Sequence, residues 1–321
     1  MEQKLVIDTI RTVTVILGAL VAGYGLRKSG RAGPQWAPRV NRVALVWVQP
    51  LVIAVALWAM RRPDWQTLAL PVFAFTHMVV MWPLGALAAR LLPMSRPDRG
   101  AFVGSAIFNN QGFTYGTFLA FVALGPQGAA LGSVYCIAFM PAFFTFGFYV
   151  GRRYSHQESQ GLWGAVRGMF SDAETRNPTL GIVAGLVLNA LRAPVPSAAP
   201  LFLDVAIPGT TAAFLLAIGL GLRLSAIRDY WRECLLMHGV KLLLSPAAGL
   251  LLAVPFGYWA LSDHTLLKVC FIMCASPVAI MSVMLAQVFD LNERLAGALW
   301  LTTNLSWTVG APVILWAARA L

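Results

Sequence analysis

Three consecutive amide side chains and a glycine, Asn109, Asn110, Gln111 and Gly112, interrupt an apolar run that otherwise reads as one crossing helix. Amides donate and accept hydrogen bonds. Three in a row cannot share one helix face. A second interruption lies at Ser276-Pro277, where the proline removes a backbone donor and frees the carbonyl of Met273. A helix that unwinds and restarts at such a place presents free N–H groups and partial positive charge, which suit an anion. Gly112 lets the backbone turn and lets a ligand approach closely. Ser276 adds a hydroxyl. The expected chemistry is therefore reversible binding of a small polar or anionic ligand by Asn109, Asn110, Gln111, Gly112, Ser276 and Pro277. The competing reading is that the amides tie helices together.

Ionisable groups inside apolar segments are few. His77 lies near the middle of its segment and reads as a neutral packing histidine, with a substrate contact as the sharper alternative. Lys241 lies about 10 Å into its segment at 1.5 Å per residue, and is expected to snorkel to the nearer surface. All 13 carboxylates fall in loops or near segment ends. Carriers coupled to protons or sodium commonly use a buried carboxylate, so a carboxylate proton relay is disfavoured and sodium coupling is weakened. The 4 cysteines form no metal-ligand spacing, and Cys270 and Cys274 read as small packing residues. No metal or cofactor is expected. Ser105 and His77 could pair as a nucleophile and its base, but GxSxG, HExxH and paired carboxylates are all lacking, so an enzyme is not expected.

These residues need long apolar elements to hold them. The chain has 321 residues, 58% hydrophobic and 12% charged, which is the composition of an α-helical membrane protein. Ten apolar segments follow, at about 6–26, 40–60, 67–90, 101–124, 128–151, 179–192, 201–222, 235–260, 265–289 and 294–318. The first does not read as a cleaved signal peptide, because its positive cluster Arg27, Lys28 and Arg31 comes after it. The net charge of +11 does not imply nucleic acid, since the basic residues sit in short clusters between apolar segments. Of 24 Lys and Arg, 16 fall in alternate loops and 7 on the other side. The positive-inside rule then places both termini outside. Residues 152–178 form the longest connection, in which Leu162, Val166, Met169 and Phe170 share one face of a short interfacial helix.

Five segments precede that linker and five follow it. Pro50 matches Pro208, Pro83 matches Pro246, and Asn110-Gln111 matches Ser276-Pro277, at offsets of 158, 163 and about 166. Two drifted copies with an odd number of spans must be inverted. The expected fold is all-α, with ten transmembrane helices in two inverted five-helix repeats, 1–151 and 179–321, and helices 4 and 9 broken where they cross. Pro50 and Pro208 are expected as further helix breaks, freeing the carbonyls of Val46 and Asp204. Pro83 and Pro246 read as packing kinks.

The segments "LGALVAGYGLRKSG", "NRVALVWVQPLVI", "NNQGF", "NPTLGIVAGLVLNALRAPVP", "AIPGTTAAFLLAIGLGL", "KLLLSPAAG" and "CASPVAIMSVMLAQVFDLNERLAGALWLTT" occur in this order over nearly the whole chain. Together they resemble the auxin efflux carrier family, bacterial branch. The resemblance implies a scaffold and dimer surface of helices 1, 2, 6 and 7, and a mobile transport unit of helices 3–5 and 8–10 that moves like an elevator. It implies an organic-anion substrate and a homodimer in the bacterial inner membrane, with crossover residues at Asn110, Gly112, Ser276 and Pro277. One departure stands out. The family pattern N-x-G-F-x-G-x-P is broken, because Gly116 comes one residue late and no proline follows, which implies a softer fourth-helix break. The bile acid–sodium symporters share the general architecture. Function is thus expected to be secondary transport of a small carboxylate, as efflux driven by membrane potential. A sodium-coupled symporter is the alternative, and a ligand sensor and an intramembrane enzyme are the readings from other classes.

Overall fold

The computed structural model describes residues 2–33, 35–155, 173–221 and 225–321. Among them the chain is helical, with one isolated antiparallel bridge and no strand. Twelve helices carry the argument: α1 (Glu2–Lys28), α2 (Trp36–Ala59), α3 (Trp65–Leu91), α4 (Arg96–Ile107), α5 (Gly116–Leu124) and α6 (Pro126–Tyr154), then α7 (Ala173–Ala190), α8 (Ala199–Gly221), α9 (Trp231–Leu252), α10 (Thr265–Cys274), α11 (Met281–Val288) and α12 (Glu293–Ala320). Of these, α2, α3, α6, α8 and α9 are long and apolar enough to cross a membrane. Leu201 and Val205 on α8, Leu243 and Leu251 on α9, and Val309 and Trp316 on α12 stand exposed. Apolar faces of this extent suit hydrocarbon rather than water, as in a membrane protein.

Packing sorts the helices. α1 lies along α8, α2 lies along α7, and α8 also meets α2. The approach of α7 to α2 depends on Gly185, where a Cβ would stand 2.6 Å from the Ala54 carbonyl oxygen. Hydrogen bonds reinforce this pair, since Asn189 Nδ2 donates to Met60 O at 2.6 Å and Trp58 Nε1 donates to Ala193 O at 3.0 Å. The remaining helices pack on one another, with α4 against α3, α11 and α12, while α6 also meets α2 and α12 also meets α1. α7 starts earlier than the apolar count predicts and takes Pro178 into its first turns. The interfacial helix expected at 162–170 lies outside the described residues.

Neither Pro50 nor Pro208 breaks its helix, contrary to the sequence reading. α8 runs through Pro208. Ahead of Pro50, α2 widens into a π turn at Ala44–Val48, which absorbs the ring. The freed Val46 carbonyl accepts from Asn177 Nδ2 at 3.0 Å, so α7 supplies the donor that the proline lacks. α9 treats Pro246 in the same way, with a π turn at Val240–Leu244.

One polar knot fastens the loop end of the second group. Ser95 and Asp98 cap α4 reciprocally. Asn292 caps α12 through Leu295 N and donates to Asp98 Oδ1 at 2.7 Å and to the Tyr230 hydroxyl at 3.0 Å. Partial burial pushes the Asp98 carboxyl up, but the bonds from Ser95 and Asn292 outweigh it and hold the group below its usual 3.8. A carboxylate depressed in the folded state stabilises the fold above its unfolded value, and that contribution is lost as pH falls through the folded value. The melting temperature of the wild type should therefore drop below about pH 4, whereas Asp98→Asn should melt lower at neutral pH and show a shallower acid loss. Parallel pH–melting curves for the two proteins would remove Asp98 from this role.

Candidate functional site

Two interrupted helices cross at the centre of the second group. The first interruption runs from the end of α4 at Ile107 to the start of α5 at Gly116, and the second from the end of α10 at Cys274 to the start of α11 at Met281. The two extended stretches pair antiparallel at Asn109 and Val278. Asn110 N donates to Pro277 O at 2.7 Å, and Ala279 N donates to Phe108 O at 3.0 Å. Each break thus satisfies part of the other's exposed backbone, which is how a polar main chain can lie inside an apolar bundle. The first break is complete despite the missing proline, so the softer break implied by the family departure does not occur.

The amides divide the work. Asn109 is fully buried, and its Nδ2 reaches Cys274 O at 2.9 Å, Met273 O at 3.1 Å and Ser245 Oγ at 3.3 Å. It therefore caps the end of α10, including the Met273 carbonyl freed by Pro277. Asn110 is half-buried, and its Nδ2 donates to Asn304 Oδ1 at 3.1 Å. Asn304 in turn donates to Val278 O at 2.9 Å. Val278 N donates to Thr303 Oγ1 at 3.2 Å, so α12 braces both breaks. Gln111 is only 2% exposed, yet neither of its amide atoms has a partner among the described residues. A buried amide left unpaired is costly, so it offers both a donor and an acceptor to a further polar group.

Lys241 corrects the sequence reading most sharply. It does not snorkel. Its side chain is 1% exposed, and Nζ donates to Ala106 O at 2.8 Å, to Phe108 O at 3.3 Å and to Asn109 Oδ1. Three acceptors match the three protons of an ammonium group. The group lies at the end of α4, where helix carbonyls carry partial negative charge. Among the described residues its side chain forms no ion pair.

The starts of the second half-helices are different. The Gly116 and Thr117 amides are taken by the carbonyls of Asn110 and Gln111. The Gly112, Phe113 and Thr114 amides have no acceptor among the described residues, and nor do those of Ile280 and Met281. Gly112 does not adopt positive φ, so the turn does not require it. A Cβ there would meet nothing within 4 Å, which means that open space lies before it.

No protein-family model matches the chain, and no curated protein matches it significantly. The site must therefore be read from its own chemistry.

Several expected residues take other parts. Ser276 is buried, and its hydroxyl donates to Ile272 O of its own helix at 2.9 Å, so that proton is spent. His77 is fully buried, and its Nε2 donates to Ser245 O at 3.0 Å, which leaves Nδ1 without a partner. It braces α3 against α9, one residue removed from the crossing. Ser105 donates to Ala101 O at 2.8 Å, so no Ser105–His77 pair forms. Sequence reasoning missed Ser245, Lys241 and Tyr115 as members of the network. Tyr115 donates to Asn304 O at 3.0 Å beneath the first break. Only the lysine carried a usable signal, because a charge deep in an apolar segment demands a partner. Thr211 was also missed. Its hydroxyl reaches from α8 to Phe113 O in the first break at 2.6 Å.

Proposed function

We propose that this chain is a secondary carrier for a small organic anion, built as the auxin efflux carriers are. In this reading ten helices, with α4–α5 and α10–α11 each counted as one, cross the bacterial inner membrane as two inverted repeats. Both termini face outward. Helices α1, α2, α7 and α8 form the scaffold and homodimer surface, and the crossing rides in the mobile unit. The observation that carries the reading is the asymmetry of the crossing. The two helix ends are covered by Lys241 and Asn109, while the amides of Gly112–Thr114, in the break ahead of α5, and of Ile280 and Met281, at the start of α11, stay unbonded, and Gln111 is buried and unpartnered. Positive, donor-rich ends favour an anion.

The sodium-coupled alternative is weakened by the same geometry. Lys241 occupies an oxygen-lined position of the kind a coupling cation would use, and it brings its own charge. Inside-negative potential then drives efflux of the anion. In proteoliposomes, efflux of a transported carboxylate should accelerate with an imposed inside-negative potential and should not require sodium. Strict dependence on sodium with indifference to potential would replace this reading by the symporter. Binding without counterflow would make the chain a sensor.

Asn110 is the amide side chain of the crossing that stays partly accessible. Asn110→Ala should remove the thermal stabilisation given by that carboxylate, because stabilisation by a ligand follows its affinity. The ligand-free variant should melt within about 1 kcal/mol of the wild type, the usual worth of one hydrogen bond. A ligand-induced shift equal to that of the wild type would move the site away from the crossing.

A further inference from the structure

α3 and α6 meet along an aromatic seam. Between ring centres, Phe73 lies 6.1 Å from Tyr135 and Trp82 lies 5.7 Å from Tyr149, so the two helices run in the same direction. Phe146 packs edge-on against both Phe75 and Trp82, at 6.1 and 5.8 Å. The rim of the seam is open, since Tyr149 is 53% exposed and Trp82 is only half-buried. The Tyr149 hydroxyl makes no hydrogen bond among the described residues. Both helices finish at one end of the protein, and arginines gather there. Arg90 lies about 12 Å beyond Trp82 along α3, and Arg153 about 6 Å beyond Tyr149 along α6, at 1.5 Å per residue. Arg96, at the start of α4, donates to Arg153 O at 2.9 Å, which holds it beside them. All three arginines are exposed, and none forms an ion pair among the described residues. The neighbouring carboxylates are engaged or turned away. Asp98 accepts with one oxygen from Ser95 N and with the other from Asn292 Nδ2. Asp290 follows Phe289, which faces Gly151, on the side of α6 opposite Tyr149 and Arg153.

We propose that this seam is a binding site for one anionic phospholipid. Arg90, Arg96 and Arg153 hold the phosphate, the Tyr149 hydroxyl donates to it, and an acyl chain lies on Trp82 and Phe146. Guanidinium forks match phosphate oxygens in geometry and charge. Tyrosine and tryptophan suit the level where hydrocarbon meets headgroups, because each has an apolar body and a polar tip. Three unpaired positive charges favour a headgroup of net negative charge over a zwitterionic one, which brings a cation of its own. A soluble phosphate would use the arginines but leave the aromatic rim uncovered, so the lipid gains apolar contact that a free ion lacks. The site does not depend on the carrier reading, since neither helix break takes part in it.

The test uses the full-length purified chain in mixed micelles, titrated with phosphatidylglycerol, phosphatidylcholine or inorganic phosphate. Native mass spectrometry reads the bound lipid, and the melting temperature reads its effect. Phosphatidylglycerol should bind at least about tenfold more tightly than phosphatidylcholine, since each arginine near an anionic headgroup is worth about fivefold. The double variant Arg90→Gln, Arg153→Gln should lose that preference. Its lipid-free melting temperature should match the wild type, because both side chains are exposed. The double variant Lys28→Gln, Arg42→Gln removes the same charge from exposed positions between α1 and α2, and should keep the preference. Trp82 gives the site an optical signature. Equimolar dibrominated phosphatidylglycerol should quench tryptophan fluorescence, and the quenched fraction should fall in Trp82→Phe but not in Trp316→Phe, which alters an exposed tryptophan of α12. A preference kept by the seam variant, or lost equally by both double variants, would overturn the site and leave only diffuse attraction to a basic surface. So would equal quenching in the two tryptophan variants. Inorganic phosphate that raises the melting temperature as much as phosphatidylglycerol does would overturn the lipid as occupant.

Discussion

Lys241→Ala should melt far below the wild type, and sodium or methylammonium should restore part of the loss. Truncation strips three buried acceptors, Ala106 O, Phe108 O and Asn109 Oδ1, of their shared donor. Leaving a buried acceptor without its donor costs about 1–3 kcal/mol for each group. What remains is a small cavity with three oxygen ligands and no cation. A hard monovalent cation fits that chemistry. Binding only to the folded state stabilises by mass action, by about 2.7 kcal/mol at a hundredfold excess over Kd. The measurement is thermal unfolding in sodium, methylammonium or choline chloride at equal ionic strength. The wild type should not distinguish the three. Lys241→Ala should melt highest in sodium or methylammonium, and Lys241→Met, which fills the space, should gain little. If the alanine variant melts with the wild type, the ammonium is not sealing the end of α4. If it melts low but ignores the cation, the acceptors reach water instead.

Gly116→Ala should be the most damaging single methyl at the crossing. A Cβ there would stand 2.9 Å from both the α-carbon and the carbonyl oxygen of Gln111, and 2.9 Å from Met273 Sδ. The thioether can move aside. The Gln111 backbone cannot do so freely, because its carbonyl accepts from Thr117 N at 2.9 Å and from Thr117 Oγ1 at 2.7 Å. Overpacking against a fixed main chain costs about 1–3 kcal/mol. It also displaces Gln111, so binding of the transported carboxylate should weaken together with stability. Gly112→Ala is the control. With nothing within 4 Å and no positive φ, its ligand-free melting should stay within about 0.5 kcal/mol of the wild type. If the two glycine variants melt alike, Gly116 has no special role in restarting the helix.

This contrast shows how far the motif could be read. The stretch from Asn109 to Gly112 stood out because polarity in an apolar run is visible without coordinates. So did Pro277, whose missing donor and freed Met273 carbonyl follow from its ring alone. The allocation of roles was not visible. Asn109 and Asn110 are chemically identical neighbours. One points into α10 to cap it and the other toward α12, and only the direction of an extended backbone decides between them. Gly116 looked like a family residue out of place, yet the helix restarts there because the Gln111 backbone folds against it. Ser276 looked like a ligand hydroxyl, and its own helix uses the proton.

The long-range partners explain the other differences. Pro50 and Pro208 share the chemistry of Pro277, but α2 and α8 continue through them. A proline breaks a helix or is absorbed according to the neighbours that satisfy the freed carbonyl. Asn177 on α7 performs that role for Val46, more than a hundred residues away in sequence.

The sequence alone determined the solvent of this protein, the helical class, and the positions where a helix could not pass undisturbed, because composition, period and missing backbone donors are local properties. The tertiary structure decided which interruptions became true breaks, that the two breaks pair at Asn109 and Val278, and that Lys241 turns inward rather than toward the surface. Those outcomes depend on which half-helix ends meet. A helix end has charge and unpaired groups only once the chain is folded, so the partner that neutralises it cannot be read before the ends are brought together.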